Sequence, residues 1–317
     1  IMKVLIVASY NSGKFSPFVL EQANALKNQA IEIDFLGIEG RGTIGYLRCR
    51  RGLLKKINEY KPDIIHAHYG LSGLLANLQR KVPVVTTYHG SDIHSGGLLL
   101  TLSQFSMRLS RYNIFVSDKL LKLANYHRRN AMVQPCGVDF DKFNVLSREE
   151  ARKLLGWGAN GKYVLFAGDF DNTIKNPELA RQACNLLLEC ELIELKGYNR
   201  KEVNLLMNAS NCLLMTSHHE ASPMVIKEAM LCGTPVVSVD VGDVADVVKG
   251  TEGCFIAERN ATEIASKLSE AISFSKQKEK TNGRERITEL GLDNKQVAKR
   301  IVEIYEFVES KNGRDKR

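Results

Sequence analysis

Short β-branched apolar runs alternate with amphipathic stretches along the whole chain, and this alternation limits the possible folds more than any other feature. Residues 3–8, 31–36, 63–67, 82–87 and 113–117 read as strands. Between them, residues 17–29, 47–60, 71–80 and 98–111 read as helices. Strands joined through helices by short connections build a parallel sheet covered on both faces. A second series repeats the pattern, with strands at 163–167, 193–196, 212–216 and 235–239. Its helices are expected at 147–155, 177–188, 201–209, 223–231 and 261–274, and Ser147 with Glu150 spells a capping box. The expected fold is α/β, with two doubly wound, Rossmann-like domains at 1–143 and 144–295. A closing helix near 296–312 should pack back on the first domain. Open α/β sheets bind ligands beyond their strand carboxyl ends, so the two domains are expected to face each other across a cleft lined by those ends.

Composition narrows the class. Of 317 residues, 44% are apolar and 25% charged, which suits globular domains and excludes disordered or collagenous chains. No stretch approaches the roughly 18 uncharged apolar residues of a membrane-spanning helix. Residues 3–8 carry a single Lys, a short apolar run and no small-residue cleavage site, so they read as a first strand rather than a leader. Seven cysteines with no C-x-x-C pair fit free thiols in a reducing cytoplasm. Without a leader, the sequons at Asn208 and Asn260 carry no weight.

The positive charge is one-sided. Residues 1–140 hold 18 Lys/Arg against 9 Asp/Glu, whereas residues 141–317 hold 26 against 27. Arg41, Arg48, Arg50, Arg51, Lys55 and Lys56 run among Leu47, Leu53, Leu54 and Ile57 at near-helical spacing. Such a helix can lie on an anionic membrane surface or hold an anionic acceptor, and its plainer reading is a solvated face. The basic residues lack interleaved aromatics, and no nucleic-acid-binding signature occurs, so nucleic acid is not an expected partner.

The segment His218-His219-Glu220-Ala221-Ser222-Pro223-Met224-Val225-Ile226-Lys227-Glu228 carries the most chemistry. Ser222 suits an N-cap, Pro223 the first helical position, and Gly233 the helix end. The free N–H groups of about Met224 and Val225 then form an anion site at a strand's carboxyl end. Glu220 and Glu228 flank that site and can accept hydrogen bonds from hydroxyls at either end of one elongated ligand.

This segment resembles the E-x7-E region of retaining glycosyltransferases of family 4, which have the GT-B fold. Other motifs agree in the same order. His89-Gly90-Ser91-Asp92 resembles the family's H-G-x-D. Pro135 to Phe143 resembles its P-x-G-V-D-x-x-x-F, and Val241-Gly242-Asp243-Val244 its small-residue turn. The resemblance implies sugar transfer from a UDP- or GDP-linked donor, without metal or other cofactor. The acceptor would be a carbohydrate or a lipid-linked glycan. It implies work on surface polysaccharide or glycolipid, in the cytoplasm or at the inner face of the membrane. Carried over by motif, Glu228 would hold the donor ribose and Glu220 the hydroxyls of the transferred sugar. Amides around Ser222, Pro223, Met224 and Val225 would hold the distal phosphate. His89 would contact sugar and phosphate near the reacting carbon, Lys175 would neutralise the leaving group, and Gly13 would let backbone approach the donor.

One departure stands out. The family has an Arg in G-R-L-x-x-x-K, whereas Gly168-Asp169-Phe170-Asp171-Asn172-Thr173-Ile174-Lys175 places Asp169 there and sets Lys175 one residue later. A bidentate cation is replaced by an anion, so another base must substitute, the donor must shift, or activity must fall. Asp169 and Asp171 also spell D-x-D, although two carboxylates alone make a poor Mg²⁺ site. His66 and His68 share a strand face and read as pocket lining, packing or, with a third ligand, a zinc site. The alternatives are a nucleotide-sugar 2-epimerase of the same fold and a weakened, non-catalytic nucleotide-sugar-binding partner. A nicotinamide dehydrogenase is disfavoured because no G-x-G-x-x-G follows the first strand.

Overall fold

The computed structural model describes residues 1–40 and 42–314; Arg41 of the basic run lies outside them. The chain divides into two compact units, residues 1–137 together with 294–317, and Val138–Asp293.

The first unit runs β1 (Lys3–Ser9), α1 (Pro17–Lys27), β2 (Glu32–Ile38), α2 (Gly42–Arg48), α3 (Arg50–Tyr60), β3 (Ile64–His68) and α4 (Gly70–Asn77). It continues with β4 (Val84–Tyr88), α5 (Ser91–His94), α6 (Gly97–Leu109), β5 (Tyr112–Phe115), α7 (Asp118–Leu123) and β6 (Ala131–Val133). The six strands are parallel in the order β2-β1-β3-β4-β5-β6. Successive side chains of a strand face opposite sides, so a doubly covered strand is apolar throughout. Accordingly Val4, Ile6 and Ala8 join one buried cluster, while Leu5 and Val7 join another with Leu53 and Ile57 of α3.

The second unit runs α8 (Arg148–Leu155), β7 (Lys162–Phe166), α9 (Pro177–Asn185), β8 (Cys190–Glu194), α10 (Arg200–Ala209), β9 (Cys212–Met215) and α11 (Met224–Leu231). It ends with β10 (Val236–Val239), α12 (Val244–Val248), β11 (Phe255–Ala257), α13 (Ala261–Gln277) and α14 (Gly283–Glu289). Its five parallel strands follow the order β11-β10-β9-β7-β8. Ser147 caps α8 by accepting the Glu150 N–H at 3.2 Å. The final helix, α15 (Asn294–Arg314), returns to the first unit, where Val297, Ile301, Tyr305 and Val308 join the cluster of Val4 and Ile6.

The stretch read as one helix over 47–60 is two, separated at Cys49. Leu47 and Leu53 are six positions apart, about 240° around a helix, so one stripe cannot bury both. Leu53 is fully buried, whereas Leu47 is 41% and Ile44 69% exposed. Lys56 leaves the basic face to pair with Asp34 at 2.6 Å. The division into units sharpens the charge asymmetry: the first holds 25 Lys/Arg against 12 Asp/Glu, the second 19 against 24. No helix among the described residues is long and apolar enough to cross a membrane.

Candidate active site

In the second unit, the loops leaving β7 and β9 are tied together through backbone carbonyls of the first loop. Thr216 Oγ1 donates to the carbonyls of Lys175 and Asn176 at 2.9 and 2.8 Å. The His218 N–H donates to the Ile174 carbonyl at 2.8 Å. This clamp brings Lys175 Nζ to 2.6 Å from Glu220 Oε1. Both side chains stay partly open, at 25% and 14% exposure, so the pair is accessible to a ligand that competes for either charge.

The helix beyond Glu220 starts one residue later than its sequence suggests. Pro223, in extended conformation, occupies the N-cap position, and Ser222 does not cap. The Ser222 hydroxyl donates to Asp243 Oδ2 at 2.5 Å and accepts from Lys227 Nζ at 2.8 Å. Lys227 is fully buried, and a buried ammonium must be hydrogen-bonded, so it takes the oxygen that would have capped the helix. Burial pushes the Asp243 carboxyl up from its usual range, with Lys227 and Ser222 opposing that shift. The amides of Met224 and Val225 head the helix on half-buried residues, and none of the described backbone bonds outside helices uses them. Ser222, Pro223, Met224 and Val225 therefore do form the turn expected of them, with Pro223 in the role assigned to Ser222.

Gly242 holds this turn in place. It adopts φ +54°, and a Cβ there would lie 2.5 Å from the Ala221 carbonyl oxygen. Gly242→Ala should destabilise the second unit by about 2–4 kcal/mol, combining left-handed strain with overpacking. Urea unfolding followed through Trp157, which packs on Tyr163 in this unit, reads that loss; an unchanged midpoint would contradict it.

Glu228 is 3% exposed and does not stand on an open helix face. Its Oε1 lies 2.6 Å from Arg200 Nη1 at the start of α10, and that guanidinium covers the Phe143 ring at 5.2 Å. Asn199 and Glu202 complete a capping box that fixes this end of α10. Asp169 and Asp171 converge on Lys196 Nζ, with Asp169 at 3.0 Å. The negative charge in place of the expected Arg thus carries its own ammonium, and a backbone N–H together with Lys196 holds the Asp169 carboxyl below its usual range.

In the first unit, His66, His68 and His89 form a chain of rings. His66 and His68 stack at 4.7 Å, and His68 Nδ1 lies 2.9 Å from His89 Nε2. His66 bonds Tyr305 at 2.5 Å through Nδ1 and Thr87 at 2.7 Å through Nε2, so it is packed and satisfied. Burial drives all three imidazoles down: His68 to about 3, and His66 and His89 well below the usual value. All three are neutral at pH 7. Among the described residues, His68 Nε2 is buried with no hydrogen-bond partner. An unpaired lone pair costs less than an unpaired N–H, so His68 donates from Nδ1. His89 then accepts at Nε2 and carries its proton on Nδ1, which lies 3.9 Å from Cys136 Sγ. The rings of Phe18 and Tyr69 flank His89 at 4.6 and 4.8 Å.

Asp92, the last residue of the H-G-x-D match, ties the loops after β3 and β4. It accepts the Gly70 N–H at 2.9 Å and the Gly90 N–H at 3.0 Å, and burial raises its carboxyl to about 6. Tyr69, at φ +74° and ψ +153°, sits in a region that is nearly exclusive to glycine and costs about 1–3 kcal/mol. Beside it lies a cavity of about 400 Å³, bordered by Ser9, Ser16, Tyr46, Tyr69, Ser91 and Asp92. Gly13 heads the exposed loop after β1 at φ +71°, where a Cβ would meet nothing, so only backbone conformation favours glycine there.

The structure therefore pairs Lys175 with Glu220 in the unit that also holds the turn 222–225, places Glu228 against Arg200, and sets His89 and Gly13 in the other unit. Sequence reasoning missed Arg200, the Ser222–Lys227–Asp243 group and the strained Tyr69. From the sequence, Lys196-Gly197-Tyr198 after the strand at 193–196 reads equally as the border of a base pocket or as an ordinary turn. For Arg200 a signal existed, since Asn199-x-x-Glu202 is a cap pattern that places the intervening residue on a helix's first turn.

Comparisons with known proteins agree with this architecture. The family model for glycosyltransferase family 4 matches residues 17–142, and that for glycosyl transferases group 1 matches residues 178–287. The D-inositol 3-phosphate glycosyltransferase of Actinosynnema mirum is 26% identical over 315 residues, covering 80% of this chain and 75% of the relative. That of Geodermatophilus obscurus is 24% identical over 276 residues, covering 68% of this chain and 61% of its own length. The fold is shared with sucrose-phosphate synthase of Thermosynechococcus elongatus, at TM-score 0.84 and 16% identity over 97% of this chain and 99% of that one. It is also shared with Anabaena HepE solved in complex with UDP-glucose, at TM-score 0.75 and 18% identity over 96% and 99%. With a glycosyltransferase model matching part of each half and a GT-B fold, the chain is similar to glycosyltransferases of family 4 type.

Proposed function

We propose that this protein transfers a sugar from a nucleotide-diphosphate sugar to an anionic or lipid-linked acceptor, with retention of anomeric configuration. The observation that carries this reading is the Lys175–Glu220 pair at the carboxyl edge of one sheet, with Glu220 four residues ahead of the helix that begins at Met224. Cleaving the sugar–phosphate bond builds negative charge on the departing diphosphate. An ammonium and a helix N-terminus aimed at that charge stabilise the transition state more than the ground state. Lys175 exchanges its contact with Glu220 for one with phosphate, which frees Glu220 to accept from hydroxyls of the transferred sugar. Lys196 supplies the second cation in place of the family's Arg, and its two carboxylates hold it in position. Glu228, fixed by Arg200, receives the ribose. These side chains provide the positive charge that a metal would otherwise bring.

His89 acts as a neutral group. Its Nδ1 proton, set by His68, can be donated to a sugar or phosphate oxygen without adding charge. The cavity beside Tyr69 and Asp92 offers hydroxyls suited to a polyhydroxylated acceptor, and the excess charge of the first unit suits one carrying phosphate. The D-inositol 3-phosphate glycosyltransferases named above and the UDP-glucose in HepE support an anionic acceptor and a UDP-linked donor, with GDP as the alternative base. The exposed Ile44 and Leu47, with Arg48, Arg50, Arg51 and Lys55 nearby, suit contact with the cytoplasmic face of a membrane during polysaccharide or glycolipid synthesis.

Incubation with α-linked UDP-, GDP- and ADP-sugars and phosphorylated or lipid-linked acceptors, read by proton NMR, tests the reading. An α-linked product from one donor is expected. Glu228→Gln should weaken that donor's binding by about tenfold, the scale of a lost charged hydrogen bond. A β-linked product, an isomerised free donor, or normal turnover in Glu228→Gln would contradict the reading.

A further inference from the structure

The first unit carries a second concave, charged feature that the proposed reaction does not use. A cavity of about 600 Å³ is bordered by Arg80, Arg108, Arg111, Arg129, Lys311 and Phe307. No carboxylate borders it among the described residues. It lies at the edge of the sheet opposite His89. Arg80, Arg111 and Arg129 come just before β4, β5 and β6, whereas His89 follows the end of β4. In a parallel sheet these are opposite edges, separated by a five-residue strand, or roughly 16 Å.

Three features mark it as more than a solvated face. Arg80, Arg108, Arg129 and Lys311, from four separate stretches of the chain, meet with Arg111 around one hollow, although like charges repel and scatter unless something negative gathers them. Four of the five are Arg, whose planar fork matches phosphate bidentately, where Lys offers only a point charge. The ring of Phe307 is 43% exposed beside the hollow, with Lys311 Nζ 4.3 Å from its centre and Tyr112 edge-on at 6.0 Å. An exposed, oriented ring among guanidiniums offers an apolar face next to the charges.

We propose that this hollow is a second phosphate-recognition site, which takes a ligand carrying two or more phosphates, either a soluble polyphosphorylated molecule or a clustered phospholipid headgroup. The site is independent of the donor reading, because none of its residues belongs to the second unit.

Inorganic tripolyphosphate titrated calorimetrically at fixed ionic strength is the probe, on the full chain and on three variants. Arg108 and Arg129 are exposed, so Arg108→Glu/Arg129→Glu should leave the fold intact, and circular dichroism checks that. Lys175→Met disables the proposed donor site and leaves the hollow untouched. Arg108→Gln/Arg129→Gln removes the charge without reversing it. Tripolyphosphate binding should persist in Lys175→Met, weaken about tenfold in the Gln pair and vanish in the Glu pair. A second arm uses vesicles with and without phosphatidylglycerol. Retention that tripolyphosphate displaces, and that the Glu pair loses, assigns the phosphate to a headgroup; tripolyphosphate binding without retention assigns it to a soluble ligand. Binding that is equal in the folded Glu pair and the parent, or that disappears in Lys175→Met, overturns the proposal. Failure of Lys175→Met alone to bind nucleotide sugar bears on the donor site and leaves this one standing.

Discussion

Replacing Lys175 with Met should lower kcat/KM for sugar transfer by roughly 10²–10³-fold, about 3–4 kcal/mol, the scale of losing one preorganised charge-stabilising group. Lys175 sits on a short 3-10 turn whose last carbonyl is gripped by Thr216, so its ammonium is already held against Glu220 before ligand arrives. Preorganisation of this kind spares the reaction the cost of moving a charge into place. The loss should appear mainly in kcat, because the charge it answers develops as the bond breaks. Steady-state kinetics on the matched donor separates the two parameters. A rise in KM with unchanged kcat would place Lys175 in ground-state binding alone and contradict the mechanism.

Acid should melt the first unit well before the second. His66 and His68 are wholly buried and His89 is largely so, and burial holds all three neutral in the folded state. Once unfolded, each regains a pKa near 6.5 and binds a proton. The unfolded state therefore takes up more protons as pH falls below 6.5, and the folded state loses stability over the window from there down toward the folded value of about 3 for His68. Asp92 acts in the opposite sense. Its folded pKa of about 6 lies above the unfolded 3.8, so its contribution improves on acidification through that interval. Three imidazoles against one carboxyl leave a net uptake of protons on unfolding, so the first unit loses stability as pH falls through that window. The two histidines of the second unit, His218 and His219, lie on its surface. The single Trp157 reports only the second unit, so its fluorescence should hold at pH 5 while amide exchange in β3 and β4 accelerates. Coincident loss of both signals would contradict the assignment.

Much of the fold was legible in the sequence because its signals are local. The apolar strands β1, β3, β4, β7 and β9, the Ser147 cap and the Gly233 helix stop all follow from nearest-neighbour chemistry. The three-residue strands β6 and β11 and the short helices α5, α7 and α12 carry no period long enough to read. At the candidate site, spacing found the residues but not their partners. The choice of Ser222 between capping a helix and serving Lys227 depends on a buried ammonium five residues on and a carboxylate twenty-one residues on. Likewise Asp169 alone reads as a defect in a diphosphate clamp, and only the return of β8 brings Lys196 to it. The pairing of Glu228 with Arg200 and the stacking of His68 on His89 are contacts of the same long-range kind.

The central claim is that the turn from Glu220 to Val225, with Lys175, grips the diphosphate of a nucleotide sugar. Calorimetric titration of the full chain and of Lys175→Met with UDP-, GDP- and ADP-sugars tests it most directly. The account predicts one-to-one binding of at least one donor by the parent chain and at least tenfold weaker binding by the variant. Equal affinities in the two proteins, or no binding of any nucleotide sugar by the folded parent, would contradict it.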